Sequence, residues 1–382
     1  MSRKILSLSL AAAAVTAACC AQAAPVYDKD GTQLDIFGRA EAMFMNDHAI
    51  RSQRGTLRDA SASGDNTVAG AARFGIAGRS RLSDSVSGIG LSELELPIGE
   101  SADGSVHVRY LYAGINAQQY GTLIAGRGDS AYTAVAGATD IYDALDLNTN
   151  DYYLFGDTAS GRVMYSLSAM GWDFRLSLQT ASDSVNDTFD VDSGYAFSFA
   201  TRLSNGITVA YGADYTDFSY EGCKETMTSF FGEMYDKAQN RVVKSADPKA
   251  YGLNHHPSYK VNKGIAISYG TLGRGFYAGF LYNVTRYKGL PHHIYTYETA
   301  FAYSFDCGVT LRGGWSAQQW RDASVIEDLN LGISYSPAPA FKVFAEAQLD
   351  LGANPERLYP DSWIKDHALG ENRFVAGARY SF

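Results

Sequence analysis

Cysteine, proline and charge are all scarce in this chain. Its 382 residues include 4 Cys and 9 Pro, and only 19% of them are charged. So few cysteines exclude a small scaffold built on disulfides, and the low charge with 13% aromatic residues excludes an intrinsically disordered chain. Long apolar runs are missing after residue 23, so the sequence also excludes a bundle of membrane-crossing helices, each of which needs about 20 apolar residues.

The N-terminus has the pattern of an export signal. Arg3 and Lys4 precede an apolar run over 5–20, and Ala-Gln-Ala over 21–23 supplies the small residues of a cleavage site. The sequence therefore predicts that 1–23 is removed and that 24–382 is the mature protein. Because the signal holds two of the 32 basic residues and none of the 41 acidic ones, the mature net charge is −11. A field of that sign argues against nucleic acid as a partner.

Period-two alternation of apolar and polar side chains dominates the mature sequence. Runs of about ten residues alternate in this way, and polar segments separate them. In the first run one parity is apolar and the other is largely charged or bulky; the two sets are Leu34, Ile36, Gly38, Ala40, Ala42 and Phe44 against Asp35, Phe37, Arg39, Glu41 and Met43. The pattern predicts consecutive antiparallel hairpins with one apolar face.

Strand length separates a soluble sandwich from a membrane barrel. The alternating runs reach ten to twelve residues, whereas strands of globular proteins usually have about five or six. A tilted strand that crosses a membrane needs about nine to eleven. Tyr and Phe share the apolar parity, and several lie near strand ends, where interfacial aromatic girdles form.

The connections between the runs alternate in length as well. Tight turns such as 83–85 and 272–274 contrast with long polar segments, which are 47–69, 128–159, 220–260 and 352–371. We count sixteen strands and predict an all-β, antiparallel transmembrane β-barrel with short periplasmic turns and long extracellular loops. An open sheet in lipid would leave backbone groups unpaired, so strand 33–46 must pair with strand 372–382. With about sixteen strands the interior is wide enough to hold water.

Several segments resemble the general diffusion porins of Gram-negative outer membranes, the enterobacterial-type trimeric family. Residues 26–39, Val-Tyr-Asp-Lys-Asp-Gly-Thr-Gln-Leu-Asp-Ile-Phe-Gly-Arg, are similar to that family's mature start, and 73–78 and 120–127 resemble two later strands. Phe382, preceded by Tyr380, resembles its C-terminal signal, which the outer-membrane assembly machinery reads. The resemblance implies a homotrimer in contact with outer-membrane lipid and lipopolysaccharide, passive passage of small hydrophilic solutes, no cofactor and no catalytic chemistry.

The resemblance also implies a pore constriction. In that family the third long loop folds into the barrel and its acids face a ladder of basic side chains, which places the loop at 128–159. The expected basic wall is Arg39, Arg73, Arg109 and Arg162, all on lumen parity; the expected acidic side is Glu93, Asp140, Asp143 and Asp146. Thr139-Asp140 resembles the family's Thr-Asp, but its Pro-Glu-Phe-Gly-Gly run is absent. The net charge of −11 predicts mild cation preference.

Other functions leave weaker traces in the sequence. A substrate-specific channel would show an aromatic track along the lumen, whereas most Tyr and Phe take the outward parity. A surface receptor or adhesin would use loop 220–260. The pairs His255-His256 and His292-His293 have no third ligand fixed by spacing, so we expect no metal site. We expect Cys223 and Cys307, on opposite rims, to be free thiols.

Overall fold

A computed structural model of the protein describes residues 24–46, 48–49, 66–98, 106–145, 147, 158–181, 190–219, 259–288, 292–357, 364 and 368–382. Within these ranges seventeen antiparallel strands form one sheet. They are β1 Ala24–Lys29, β2 Thr32–Met45, β3 Thr67–Arg81, β4 Ser87–Ile98, β5 His107–Asn116, β6 Thr122–Asp129, β7 Thr158–Ala169, β8 Trp172–Gln179, β9 Asp190–Arg202, β10 Ile207–Ser219, β11 Tyr259–Thr271, β12 Arg274–Tyr287, β13 Ile294–Ser304, β14 Val309–Trp320, β15 Ala323–Ala338, β16 Phe341–Asp350 and β17 Arg373–Ser381. A short helix α1, Thr133–Ala136, follows β6.

Strands β2 to β17 close into a barrel of sixteen. Each pairs with the next along the chain, and β17 returns to β2 in a register that runs from Val375 opposite Met45 to Ser381 opposite Arg39. The predicted strand number and the predicted closing pair are both confirmed. In an open sheet the edges of β2 and β17 would expose unpaired backbone N–H and C=O groups to lipid, and each such group costs several kcal/mol. Closure of the barrel removes this cost because the two edges pair with each other.

The seventeenth strand, β1, was not predicted from the sequence. It forms a hairpin with β2 in which Lys29 lies opposite Thr32 and Pro25 opposite Asp35. Phe382 ends beside Gly38, with which it exchanges two backbone hydrogen bonds of 2.9 and 3.0 Å. β1 therefore covers the part of the β2 edge that extends beyond the last residue of β17, because that edge would otherwise remain open.

Alternation divides each strand into a lumen face and a lipid face. On β2, Phe37, Glu41 and Met43 are buried, whereas Ala42 and Phe44 are exposed. The same division holds across the barrel, where the exposed rings include Phe276, Phe280, Phe301 and Tyr303, and the buried polar groups include Asn262, Asn283, Glu298, Asn330 and Gln348. The predicted parity is confirmed: apolar side chains point outward to lipid, and polar ones point into the bore.

The two rims differ in the length of their connections. At one rim the strands are joined by turns of two to five residues, for example 170–171, 272–273 and 305–308. The strands that flank the predicted long segments all have their connected ends at the other rim, where 321–322 is a two-residue exception. Cys307 is an exposed free thiol in one of the short turns.

Some sequence-based expectations fall outside the described residues. They concern the signal at 1–23, Asp146, Cys223, His255 and His256. Among the residues that are described, no helix is long and apolar enough to cross a membrane. The described part of the chain also contains no group of three His, Cys, Asp or Glu side chains that could hold a metal ion.

Candidate pore constriction

A ladder of ion pairs lines the lumen face of β2 to β5. Arg39 and Arg73 lie directly opposite each other across β2 and β3, and the Nη2 of Arg73 is 3.2 Å from Oε1 of Glu95 on β4. Arg109 on β5 reaches Glu93 with Nε at 2.9 Å and Glu95 with Nη1 at 3.2 Å. Because β2 to β5 are neighbours in the barrel, three arginines that are far apart in sequence form one continuous charged surface with the two acids of β4.

Exposure decides which charge this surface presents to the bore. The side chains of Arg39, Arg73 and Arg109 keep 25%, 20% and 19% of their surface exposed, whereas those of Glu93 and Glu95 keep 3% and 10%. The guanidinium groups therefore cover the carboxylates. A solute in the lumen meets the arginine side of each pair, although the charges nearly cancel.

Glu93 lies on the basic wall and not opposite it. The sequence predicts it on the acidic side that faces the arginines, but β4 lies between β3 and β5, so its lumen side chains lie between Arg73 and Arg109. Glu95, which is not among the predicted site residues, occupies the next lumen position on β4. Both carboxylates offset the positive charge of the ladder arginines, with which they form ion pairs.

The chain after β6 turns inward and packs against the far wall. Tyr132 donates a 2.6 Å hydrogen bond to Oδ1 of Asn283 on β12, and Thr139 donates one of 2.5 Å to Oε2 of Glu298 on β13. The apolar side of α1 packs with small and apolar lumen residues; these contacts involve Ala131, Tyr132, Val135, Ala136, Ala196, Ala210, Ala266 and Leu281. We call residues 130–145 and 147 the inward segment.

Two glycines on the wall permit this close approach. A Cβ on Gly279 would stand 2.1 Å from the carbonyl oxygen of Ala138, and a Cβ on Gly264 would stand 2.0 Å from the hydroxyl oxygen of Tyr132. Any side chain at these positions would push the inward segment away from β11 and β12. A hydrogen bond stabilises the same contact, because the Tyr277 hydroxyl donates to the Ala138 carbonyl oxygen at 2.7 Å.

Asp143 fixes the tip of the inward segment to β14, β16 and β17. Its Oδ1 lies 2.8 Å from Nζ of Lys342 and 2.7 Å from Nη1 of Arg379, and its Oδ2 lies 3.1 Å from Nη1 of Arg312. The carboxylate of Glu346 accepts backbone hydrogen bonds from Asp143, Ala144 and Leu145 at 2.6, 2.9 and 2.8 Å. Three cations on the wall therefore bind the Asp143 carboxylate, and one carboxylate on the wall binds three backbone N–H groups of the segment.

The same cations lower the pKa of Asp143. Burial favours its neutral form and would raise the pKa, but Lys342, Arg312 and Arg379 together outweigh that effect and hold the pKa below its ordinary value. A carboxyl group whose pKa is lower in the folded state adds stability that is present above its unfolded pKa. That stability is lost as the pH falls through the lower, folded pKa.

We therefore expect the inward segment to stay fixed down to about pH 4, near the unfolded pKa of an Asp side chain, and to loosen only below it. The measurement is single-channel current noise at stepwise lower pH. Asp143→Asn should show the loosened behaviour at every pH, because the variant has no charge to lose. Noise that begins to rise between pH 7 and 5 in the wild type, or an identical pH profile in the variant, would contradict this assignment.

The other predicted site residues lie apart from the arginine ladder and from the ion pairs of Asp143. Arg162 on β7 donates hydrogen bonds to Oε1 of Gln179 at 3.0 Å and to the carbonyl oxygen of Gly128 at 2.8 Å, near the start of the inward segment. Asp140 is exposed. Tyr380 and Phe382 point outward and are exposed, which leaves both rings on the lipid face beside the closing seam.

Most charged partners of the ladder arginines and of the tip of the inward segment were not predicted from the sequence. They are Glu41, Glu95, Arg312, Lys342, Glu346 and Arg379. Arg379 connects the arginine ladder to the tip of the inward segment, because it forms an ion pair with Glu41 on β2 as well as with Asp143. All six take lumen parity, so parity could have nominated them. It could not have shown which inward charges the segment meets.

Comparison with known proteins agrees with this architecture. A family model described as Gram-negative porin matches residues 9–272. Outer membrane porin PhoE of Enterobacter cloacae is 25% identical over 334 residues, which cover 85% of each chain. Outer membrane porin protein OmpD of Citrobacter koseri is 24% identical over 402 aligned positions, which cover 99% of this chain and 100% of that one.

Solved structures share the fold at lower identity. Salmonella typhi OmpF in complex with daunomycin superposes with a TM-score of 0.70 at 15% identity, covering 94% of this chain and 100% of that chain. An anion-selective porin from Comamonas acidovorans gives a TM-score of 0.60 at 12% identity. The family match spans more than half of this chain, and the closed barrel of sixteen strands fits it. The chain therefore belongs to the Gram-negative porin family, whose members are channels and not enzymes, and it is a multi-pass β-barrel of the outer membrane.

Proposed function

We propose that this porin is a general diffusion channel for small hydrophilic solutes and ions. The observation that carries the proposal is the ladder of Arg39, Arg73 and Arg109, whose guanidinium groups stay exposed to the bore while the inward segment packs against the opposite wall. A gap between such surfaces is polar, narrow and bounded by low-dielectric walls, which concentrate its field. Solutes are then selected by size, polarity and charge.

We further propose that the protein works as a homotrimer. The signal at 1–23 would direct its export, and the outer-membrane assembly machinery would read the C-terminal signal of Tyr380 and Phe382. Small outward residues flank the closing seam on β2 and β17; they are Gly38, Ala40, Ala42, Ala376 and Ala378. Small side chains let two barrel walls approach closely. This makes the seam the face on which we expect subunits to meet.

In this proposal the inward segment is the constriction loop, and it limits the size of the solutes that can pass through the pore. Liposome swelling with sugars of increasing mass tests this together with the transport proposal. Initial rates should fall smoothly with solute size and rise linearly with concentration. Saturable uptake of one sugar would instead favour a substrate-specific channel, and liposomes that stay impermeable would contradict transport altogether. The described exposed rings lie mostly on the lipid face, which is why we expect no saturation.

Ion preference should be mildly cationic and should depend on salt. The described residues contain 21 basic and 24 acidic side chains, a net charge of −3, whereas the remaining residues of 24–382 contain 9 basic and 17 acidic ones, a net charge of −8. Most of the net negative charge thus belongs to the sequence segments that connect the strands on the long-loop side, and we attribute the preference to these rim segments. Because the Debye length shrinks from about 30 Å at 0.01 M salt to about 3 Å at 1 M, cation preference should fade as salt rises.

Reversal potentials in a fixed KCl gradient, repeated at low and high mean concentration, measure this preference. We expect potassium to be favoured at low salt and the ratio to approach unity at high salt. A preference for chloride at low salt, or a cation preference that does not change with salt, would contradict the assignment of the preference to the rim segments.

A further inference from the structure

The chain leaves the barrel wall at the end of β6, and hydrogen bonds fix the turn into the bore. We call residues 128–132, which lead into the inward segment, the root. The backbone N–H of Ala131 donates to the Ser177 hydroxyl on β8 at 3.0 Å, and that of Tyr132 donates to the Ser130 hydroxyl at 3.2 Å. A buried backbone donor is costly when it has no acceptor. The two hydroxyls therefore let the chain turn inward at this point.

Asp214 on β10 holds the Ser130 hydroxyl from the wall. Ser130 donates a 3.2 Å hydrogen bond to Oδ2 of Asp214 while its oxygen accepts from the N–H of Tyr132. The Ser130 side chain is buried, so it is shielded from bulk water. Tyr132 is the residue directly before α1. One wall carboxyl group is therefore connected, through a single hydroxyl, to the backbone from which α1 starts.

A cavity lies beside the root on the side of the wall. Its volume is about 40 Å³, and its lining includes Ser130, Ser177 and Asp214. Gly194 and Ala196 line it from β9, where their small size leaves the space open. Packing therefore does not fix the position of Ser130 on this side, and its hydrogen bonds must do so. If those bonds were lost, the root would have room to move towards the wall.

Two further wall residues contact the root immediately before Ser130. Arg162 on β7 donates a 2.8 Å hydrogen bond to the carbonyl oxygen of Gly128, and the hydroxyl of Tyr110 on β5 donates one of 2.9 Å to Oδ1 of Asp129. Three consecutive residues, 128–130, are thus each bonded to a different strand of the wall. The tip of the segment is fixed to β14, β16 and β17, so separate strands hold its two ends.

We propose that Asp214 is a positioning residue of the pore, which sets where the inward segment enters the bore. The proposal rests on the proposed function, because it concerns the same constriction. Through Ser130, Asp214 fixes the point from which α1 starts, and α1 packs against β9, β10 and β11. A root that moved into the cavity would carry α1 towards the wall and widen the bore. Asp214 therefore limits the open cross-section beside the root, as Asp143 does at the tip.

Single-channel recording of Ser130→Ala tests the proposal, because the variant removes the donor and keeps the Asp214 carboxyl group. A typical hydrogen bond changes an equilibrium by about fivefold, so the time spent at higher current levels should rise at least about fivefold. Asp214→Leu should do the same. Asp214→Asn keeps an acceptor for Ser130 and should stay closer to the wild type. The control is Ser304→Ala, which removes a 3.0 Å hydrogen bond to Thr310 within the wall and should leave the current steady.

The double variant Ser130→Ala, Asp214→Leu shows whether the two residues act through one shared bond. If they do, it should spend no more time at the higher levels than either single variant. Effects that add would overturn the proposal. Should Asp214→Leu fail to fold, Ser130→Ala decides alone, and its wild-type currents, both by itself and combined with Asp143→Asn, would overturn the proposal.

Thermal unfolding of the same samples separates positioning from a purely structural role. A lower unfolding temperature in Ser130→Ala with unchanged current levels would make the bond structural only and overturn the proposal. Permeability of wild-type liposomes keeps this result distinct from the transport proposal. A permeable wild type whose currents do not respond to Ser130→Ala refutes only the positioning role of Asp214, whereas an impermeable wild type refutes transport.

Discussion

Asp143→Asn is expected to release the tip of the inward segment. The substitution keeps the shape of the side chain but removes the charge that offsets Lys342, Arg312 and Arg379. Breaking a buried ion pair by removing one partner costs about 3–5 kcal/mol. Since Lys342 is partly exposed, we take about 3 kcal/mol, which multiplies the released population by about 100.

Single-channel recording measures this release directly. The wild type should show a steady open level, and Asp143→Asn should show frequent transitions to other levels together with a larger mean current. Asp140→Asn is the matched control, because Asp140 belongs to the same segment and is exposed. Glu346→Gln tests the same anchoring independently. It replaces the carboxylate that accepts three backbone hydrogen bonds with a neutral amide and should loosen the same tip. Steady currents in both Asp143→Asn and Glu346→Gln would refute the anchoring role.

The barrel could be predicted from the sequence because one physical rule governs every strand. Lipid on one side and water on the other impose alternation, so parity alone places Phe44 outside and Arg39 inside. The need to pair every backbone group in lipid then fixes closure between β2 and β17. β1 could not be predicted because its six residues are too few to show alternation. Its pairing with β2 also depends on where β17 ends, which the sequence pattern does not show.

The inward segment does not obey that rule. Its path is decided by contacts with distant strands, such as Asp143 with Arg379 and Thr139 with Glu298, which lie more than 150 residues apart in sequence. Parity identified many inward charges without showing which of them meet the segment. For the same reason Glu93 could be recognised as a lumen acid, whereas its place among the arginines follows only from the position of β4 in the barrel.

Removing the ladder arginines should change ion selectivity more than any other substitution in the bore. In Arg39→Gln, Arg73→Gln, Arg109→Gln, the carboxylates of Glu93 and Glu95 lose the groups that cover and neutralise them. A unit charge about 4 Å from a permeating ion contributes about 1 kcal/mol even at the dielectric constant of water. The ratio of potassium to chloride permeability should therefore rise at least about fivefold.

The reciprocal variant separates this electrostatic effect from a general disturbance of the barrel. Glu93→Gln, Glu95→Gln leaves the three guanidinium groups without their acids and should shift the reversal potential towards chloride. Arg274→Gln is the control, because Arg274 is exposed on the outward side of β12 at the rim of the short turns; it should leave the potential unchanged. Shifts of the same sign in the arginine and glutamate variants would mean that both merely distort the pore. Opposite shifts that persist at 1 M salt, where charges beyond about 3 Å are screened, would locate the selecting field at the ladder itself and not at the rim.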